Sequence, residues 1–253
     1  MSAAIRLTAV DKRFDSGLEA LRGVGFEVPP GQFAALLGPS GCGKSTVLRL
    51  VARLDRPSGG TVEVGSDVAG SAISYVFQEP TLMPWATLFD NVRLPLRIAG
   101  ISRAEAQNRI APLLASLDLA GFEGAYPAEL SGGMRMRASI ARALVTRPRV
   151  LLMDEPFAAL DEITRARLND DLLALWQAHG FTVLFVTHSV FEAVYLSQRV
   201  LVMSARPGHL VGDLVVDEPY PRGAELRLST RYAERCRAVS VALESGYGAD
   251  LSP

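Results

Sequence analysis

The sequence predicts an α/β fold with a parallel sheet at its centre, an N-terminal antiparallel β part and an inserted helical lobe. Three observations carry this. Val150–Met153 is an uninterrupted apolar run and Phe181–Val186 nearly so, which is how strands covered on both faces read. Strand-length segments alternate with helix-length ones, the order that gives parallel βα units. Between about residues 87 and 148 the pattern changes to helical spacing.

In chain order, residues 4–28 read as short β segments around a turn at Asp15-Ser16-Gly17. Phe33–Leu37 is a strand that runs into a glycine-rich loop, Gly38–Gly43, and then a helix from Lys44 to about Leu54. Arg56–Gly60 is a turn, and Thr61–Val64 alternates like a strand. In the lobe, Asn91–Ala99 and Ser102–Leu119 have helical spacing, with Ser102 and Glu105 as a capping box. Arg135–Leu144 is helical, and Glu162–His179 is a helix capped by Gly180. The chain divides into one domain over residues 1–222, the lobe inside it, and a helical tail over 223–253. The tail segment Ala224–Ser245 is weakly amphipathic, and its pattern assigns it no role.

A length of 253 residues suits one large domain with a proper core. An apolar content of 49% fits a globular chain. The formal net charge of −1 supplies no global field toward nucleic acid or anionic lipid, so nucleic acid is not an expected partner. Cys42 and Cys236 make neither a disulfide framework nor a zinc set, which points to a reducing compartment. Met1–Leu7 has no signal-peptide pattern, and the longest apolar runs are strand-sized. Any membrane connection is therefore expected through a partner chain.

Gly38-Pro39-Ser40-Gly41-Cys42-Gly43-Lys44-Ser45-Thr46 matches the phosphate-loop pattern, with a strand before it and a helix after it. Glycines let successive N–H groups turn toward one phosphate chain, and the helix N-terminus adds partial positive charge. Lys44 is placed to reach the outer phosphates of ATP, and the Ser45 hydroxyl to ligate Mg²⁺. Cys42, beside that helix N-terminus, is expected to have a lowered thiol pKa, or else to be a small loop filler.

A second site follows Val150–Met153, where Asp154 and Glu155 stand at the end where parallel sheets bind ligands. Asp154 suits Mg²⁺, and Glu155 suits orienting or deprotonating an attacking water. The alternative is a solvated acidic turn. Ser131, Gly132 and Gly133 open the helix that carries Arg135–Leu144, making a further anion-binding device. One nucleotide needs one such loop, so the second suggests ATP held by another copy in a symmetric dimer. An ordinary glycine turn capping a helix reads the same way.

With these motifs in order, the chain resembles the ATPase subunits of ABC transporters over about residues 5–215. Leu130–Met134 is similar to their signature loop, with Met134 where many members carry Gln. The resemblance implies a P-loop NTPase core. It also implies that Phe14 stacks on adenine and that Gln78 senses Mg²⁺ and contacts the membrane subunit. Ala159-Leu160-Asp161 would cross the dimer interface, and His188 would hold the γ-phosphate. Read singly, Phe14 suits core, Gln78 a solvated loop, His188 a strand-end cap and Trp85 packing of the lobe. Leu82–Trp85, Leu130–Met134 and Ser204–Gly208 look like the importer branch for nitrate, sulfonates and taurine. That branch implies a homodimer on the cytoplasmic face of the cell membrane, an integral permease and an extracytoplasmic binding protein. From the length of the tail after Asp217, a separate regulatory domain of the sugar-importer kind is not expected. An exporter or lipoprotein-release ATPase shares the core motifs. A P-loop kinase, a repair ATPase or an assembly switch would lack the signature loop, need a long coiled-coil insertion, or dispense with Glu155 and His188, respectively.

Overall fold

The computed structural model describes residues 4–65 and 73–247. Alternation along the central strands sets the layers. In β3 (Phe33–Leu37), β6 (Val150–Asp154), β7 (Thr182–Thr187) and β8 (Arg199–Met203), successive residues turn to opposite faces. Phe33, Ala35, Leu37, Leu151, Met153 and Phe185 belong to one buried cluster. Ala34, Leu36, Leu152, Leu184, Val186 and Leu201 belong to a second, on the opposite face. Both faces are covered, which is why these strands read as apolar runs.

With β5 (Ile73–Val76), these strands run parallel in the order β5-β6-β7-β3-β8, and β9 (Leu210–Val215) closes one edge antiparallel to β8. A separate antiparallel sheet has the order β2-β1-β4, from β1 (Ile5–Arg13), β2 (Glu19–Val28) and β4 (Gly59–Val64). Its buried residues and those of α1 (Lys44–Val51) supply the second cluster. The first cluster is covered by α2 (Leu88–Ile98), α3 (Arg103–Ser116), α4 (Gly132–Leu144), α5 (Glu162–His179) and α6 (Val190–Leu196). Packing of α2 and α3 on α4 forms the expected lobe.

Several element ends depart from the sequence reading. Helix α1 stops short of Leu54, because Ala52 caps it and Arg53 takes a positive φ of 59°. Strand β4 begins at Gly59, inside the expected turn. Helix α2 begins at Leu88, where the Thr87 side chain accepts from the Asp90 N–H. Ser102 caps α3 by accepting from the Glu105 N–H at 3.2 Å. The Glu105 carboxylate, however, pairs with Arg109, so the expected box is half built.

The tail forms a short α7 (Ala224–Arg227) and a long α8 (Thr230–Gly246). Helix α8 packs on α6, β8 and β9 and buries Tyr232, Cys236 and Val239. Just before it, buried Arg222 donates to the carbonyls of Val194, Tyr195 and Ser197 at 3.0, 2.7 and 2.9 Å. A cation there meets the unpaired carbonyls of the α6 C-terminus.

Candidate active site

Three neighbouring strands deliver the site. In register, Leu37 of β3 lies beside Thr187 of β7, and Asp154 of β6 beside Val186. The phosphate loop, the Asp154–Glu155 pair and His188 therefore leave the sheet at one end. Gly43 has φ 104°, and a Cβ there would stand 2.6 Å from Leu21 Cδ2, so a side chain fits neither the conformation nor the space. Phe14, Gly41, Gly43, Lys44, Ser45, Thr46 and Glu155 line one cleft of about 200 Å³. Phe14 sits in the β1–β2 turn, half-buried, with Lys12 Nζ 5.0 Å from its ring centroid.

Lys44 is buried, and its Nζ donates to the Gly38 and Pro39 carbonyls at 2.9 and 3.0 Å. The Ser45 hydroxyl donates to Asp154 Oδ1 at 2.9 Å. Burial pushes the Asp154 carboxyl above its ordinary range, against hydrogen bonds from Ser45 and Tyr75 that pull it down. Glu155 takes a positive φ of 44°, a strained conformation for a residue with a side chain. Its N–H donates to the Val186 carbonyl at 3.0 Å. One carboxylate oxygen lies 3.0 Å from His188 Nδ1 and the other 3.7 Å from Lys44 Nζ. Such a carboxylate between imidazole and ammonium is placed to orient a water and take its proton.

The Cys42 thiol is buried, and desolvation raises its pKa despite Lys44 nearby. Burial outweighs the helix N-terminus, so of the two readings of Cys42 the small loop filler fits and the lowered thiol does not. Ser40 is exposed on the loop's outer side.

The second anion device stands apart. Ser131, Gly132 and Gly133 line no part of the cleft. Ser131 caps α4 by accepting from the Met134 N–H at 3.2 Å, and with Gly132 it is exposed. Gly133 packs so close to α5 that a Cβ would meet Thr164 Cγ2 at 2.6 Å. Asp161 caps α5 in turn, and the Thr164 N–H holds its carboxyl below the ordinary range. Gln78 is exposed on the loop after β5. Because Val76 pairs with Met153, that loop leaves the sheet beside Asp154 and Glu155. Trp85 is 77% exposed, so it does not pack the lobe. Its loop is pinned instead by buried Asn91, whose Nδ2 donates to the Met83, Ala86 and Thr87 carbonyls.

Sequence reasoning missed two residues here. Tyr75 donates to Asp154 Oδ2 at 3.0 Å. Arg206 lines the cleft and donates through Nε and Nη2 to the Gly41 carbonyl at 3.1 and 2.8 Å. The turn that carries Arg206 presses on the phosphate loop: a Cβ on Gly208 would stand 2.0 Å from the Cys42 carbonyl oxygen. The Ser204–Gly208 motif was the available signal for this brace.

A phosphate loop with a buried lysine, a Ser–Asp pair and a Glu–His pair at the C-terminal end of a parallel sheet define a P-loop nucleotide hydrolase. The family described as ABC transporter matches residues 21–158. The chain belongs to that family and is an ATPase of it. It is 44% identical over 208 residues to the taurine import ATP-binding protein of Rhizobium johnstonii, covering 81% of this chain and 79% of that protein. It is 43% identical over 219 residues to an aliphatic sulfonates import ATP-binding protein of Rhodopseudomonas palustris, covering 87% and 76%. A dimeric ATP-binding cassette in a post-hydrolysis state, bound to ADP and Pi, superposes with TM-score 0.75 at 31% identity, over 85% of this chain and 100% of that one.

Proposed function

We propose that this chain hydrolyses ATP as a homodimer to drive import of a small anionic or zwitterionic solute, of the sulfonate or taurine class, through a separate membrane permease. The observation that carries the hydrolytic part is Glu155, held within reach of His188 and Lys44 over the phosphate loop. The names of the import relatives support the direction and solute class. The domain proper is residues 1–222, with the lobe at about 87–148 and the tail at 223–253.

ATP lies against the cleft with adenine on Phe14 and its phosphates on the Gly38–Thr46 loop. Lys44 turns from its own loop carbonyls to the outer phosphates. The Ser45 hydroxyl and Asp154 carboxylate are hard oxygen donors already side by side, and Mg²⁺ takes such donors together with phosphate oxygens. The ion would supply charge neutralisation at the phosphates, with Gln78 completing the set from its loop. Glu155 orients a water and receives its proton, while Lys44 and His188 offset charge on the γ-phosphate. Ser131, Gly132 and Gly133 of a second copy cover the same nucleotide, with Asp161 at the seam. Closure of the two copies passes to the permease through the Gln78–Trp85 loop. Exposed Phe77 and Trp85 support a docking face there. Among the described residues no helix is long and apolar enough to cross a membrane. A peripheral position on the cytoplasmic face, with a binding protein outside, follows from this reading.

The test is transport. The chain with its co-expressed permease and binding protein in sealed vesicles should accumulate taurine or an alkylsulfonate when ATP is supplied on the ATPase side. Loss of accumulation with Glu155→Gln supports the reading. Solute moving outward, or no dependence on ATP, contradicts it.

A further inference from the structure

Behind His188 lies a buried carboxylate with no part in the hydrolytic centre. Glu192, in the first turn of α6, is 6% exposed. It accepts a 2.5 Å hydrogen bond from the Thr187 hydroxyl, which is also buried. Thr187 Oγ1 in turn accepts from the Ser189 N–H at 3.0 Å, and Ser189 Oγ accepts from the Glu192 N–H at 3.3 Å. Of the residues that flank His188, Thr187 is thus tied to the Glu192 carboxylate directly, and Ser189 through the Thr187 hydroxyl and the Glu192 N–H. The His188 side chain is itself 54% exposed, so its position over Glu155 depends on the turn that carries it.

The other oxygen of Glu192 faces α5. Arg165 Nε stops 3.6 Å from Glu192 Oε1, inside ion-pair range but beyond a hydrogen bond. That Nε is buried and has no hydrogen-bond partner among the described residues. The far edge of the same guanidinium donates through Nη2 to the Leu160 carbonyl at 2.8 Å. One arginine therefore holds the Ala159–Asp161 loop and faces the carboxylate that shapes the histidine turn. The buried Glu192 carboxylate, whose cationic partner stops short of a hydrogen bond, is a costly way to fill space. Neither Arg165 nor Glu192 lines the nucleotide cleft.

We propose that Arg165 and Glu192 are positioning residues that link the Ala159–Asp161 loop to the turn bearing His188. When a second copy moves that loop, a shift of about 0.7 Å brings Nε from 3.6 Å to hydrogen-bond distance. The Thr187–Ser189 turn is then fixed, and with it His188 over Glu155. Closure of the dimer and assembly of the hydrolytic centre become one event. This rests on the reading of Ala159–Asp161 as the loop that meets a second copy.

The experiment is steady-state ATP hydrolysis by the full chain, with kcat and KM resolved, for Glu192→Gln, Arg165→Met and the double variant. Glutamine keeps an acceptor for Thr187 and removes the charge that faces Arg165. Each single change should lower kcat about tenfold, the size of a lost charge-assisted hydrogen bond, with KM for ATP near the wild-type value. The double variant should be no slower than the slower single one, because both remove the same link. Unchanged kcat, a rise in KM matching the fall in kcat, or losses that multiply in the double variant would overturn the proposal. If Glu192→Gln does not fold, Thr187→Val against Thr187→Ser asks the same question: the valine variant should lose kcat and the serine variant keep it. Equal activity of those two overturns it as well. A wild-type rate that stays proportional to protein concentration across the range where sedimentation passes from dimer to monomer would remove the second copy, and so the coupling, whatever the variants' kcat.

Discussion

The phosphate loop and the Ser131 loop are both anion devices at helix N-termini, yet they are furnished differently. Around Lys44 the chain supplies everything close by: Asp154 on Ser45, Glu155 between lysine and histidine, Phe14 and Arg206 at the rim. Around Ser131 it supplies a cap and two glycines, and the face stays open. On the proposed reading the first is a site and the second is half of one. A chain that displays both makes chemical sense when two copies meet across a two-fold axis, the Ser131 loop of each closing the other's cleft.

The comparison can be broken at either region. The largest effect is expected for Glu155→Gln, which should lower hydrolysis by about 10³-fold while nucleotide still binds. Steady-state phosphate release beside a binding titration measures both. Ser131→Arg should lower hydrolysis by about 10²-fold, because the covering donors of the partner are blocked. Its own cleft is untouched, so a fluorescent ATP analogue should bind the variant at low protein concentration as it binds wild type. Weakened binding there would place Ser131 in its own chain's site. Lys44→Ala should weaken ATP binding about tenfold, with retained affinity counting against the phosphate-loop assignment. Arg206→Ala is the smallest: a rise in KM of about threefold with kcat preserved, because it braces the Gly41 carbonyl from the rim.

How legible the site was follows the same division. The Gly38–Thr46 loop and Asp154–Glu155 were readable because each motif is continuous and its strand and helix context is local. Tyr75 and Arg206 were not, since their partners are set by strand order: β5 lies beside β6, and β8 beside β3. Glu192 escaped notice for a related reason, because a glutamate in a short amphipathic run reads as solvated until Thr187 and Arg165 are placed around it. The Cys42 thiol went the other way, since helix position was readable and burial was not. In the fold, β3, β6 and β7 were plain from apolar runs, and α5 was read to its ends. The helix–sheet contacts of the tail were not, because the weak amphipathicity of Ala224–Ser245 hides that Tyr232, Cys236 and Val239 cover β8 and β9.

Whether Ser131 of one copy closes the cleft of another is decided by sedimentation velocity of Glu155→Gln with ATP, beside Glu155→Gln combined with Ser131→Arg. If it does, the first is a dimer, the second a monomer, and both are monomers without ATP. Monomers throughout, or an ATP-dependent dimer that ignores the change at Ser131, would contradict it.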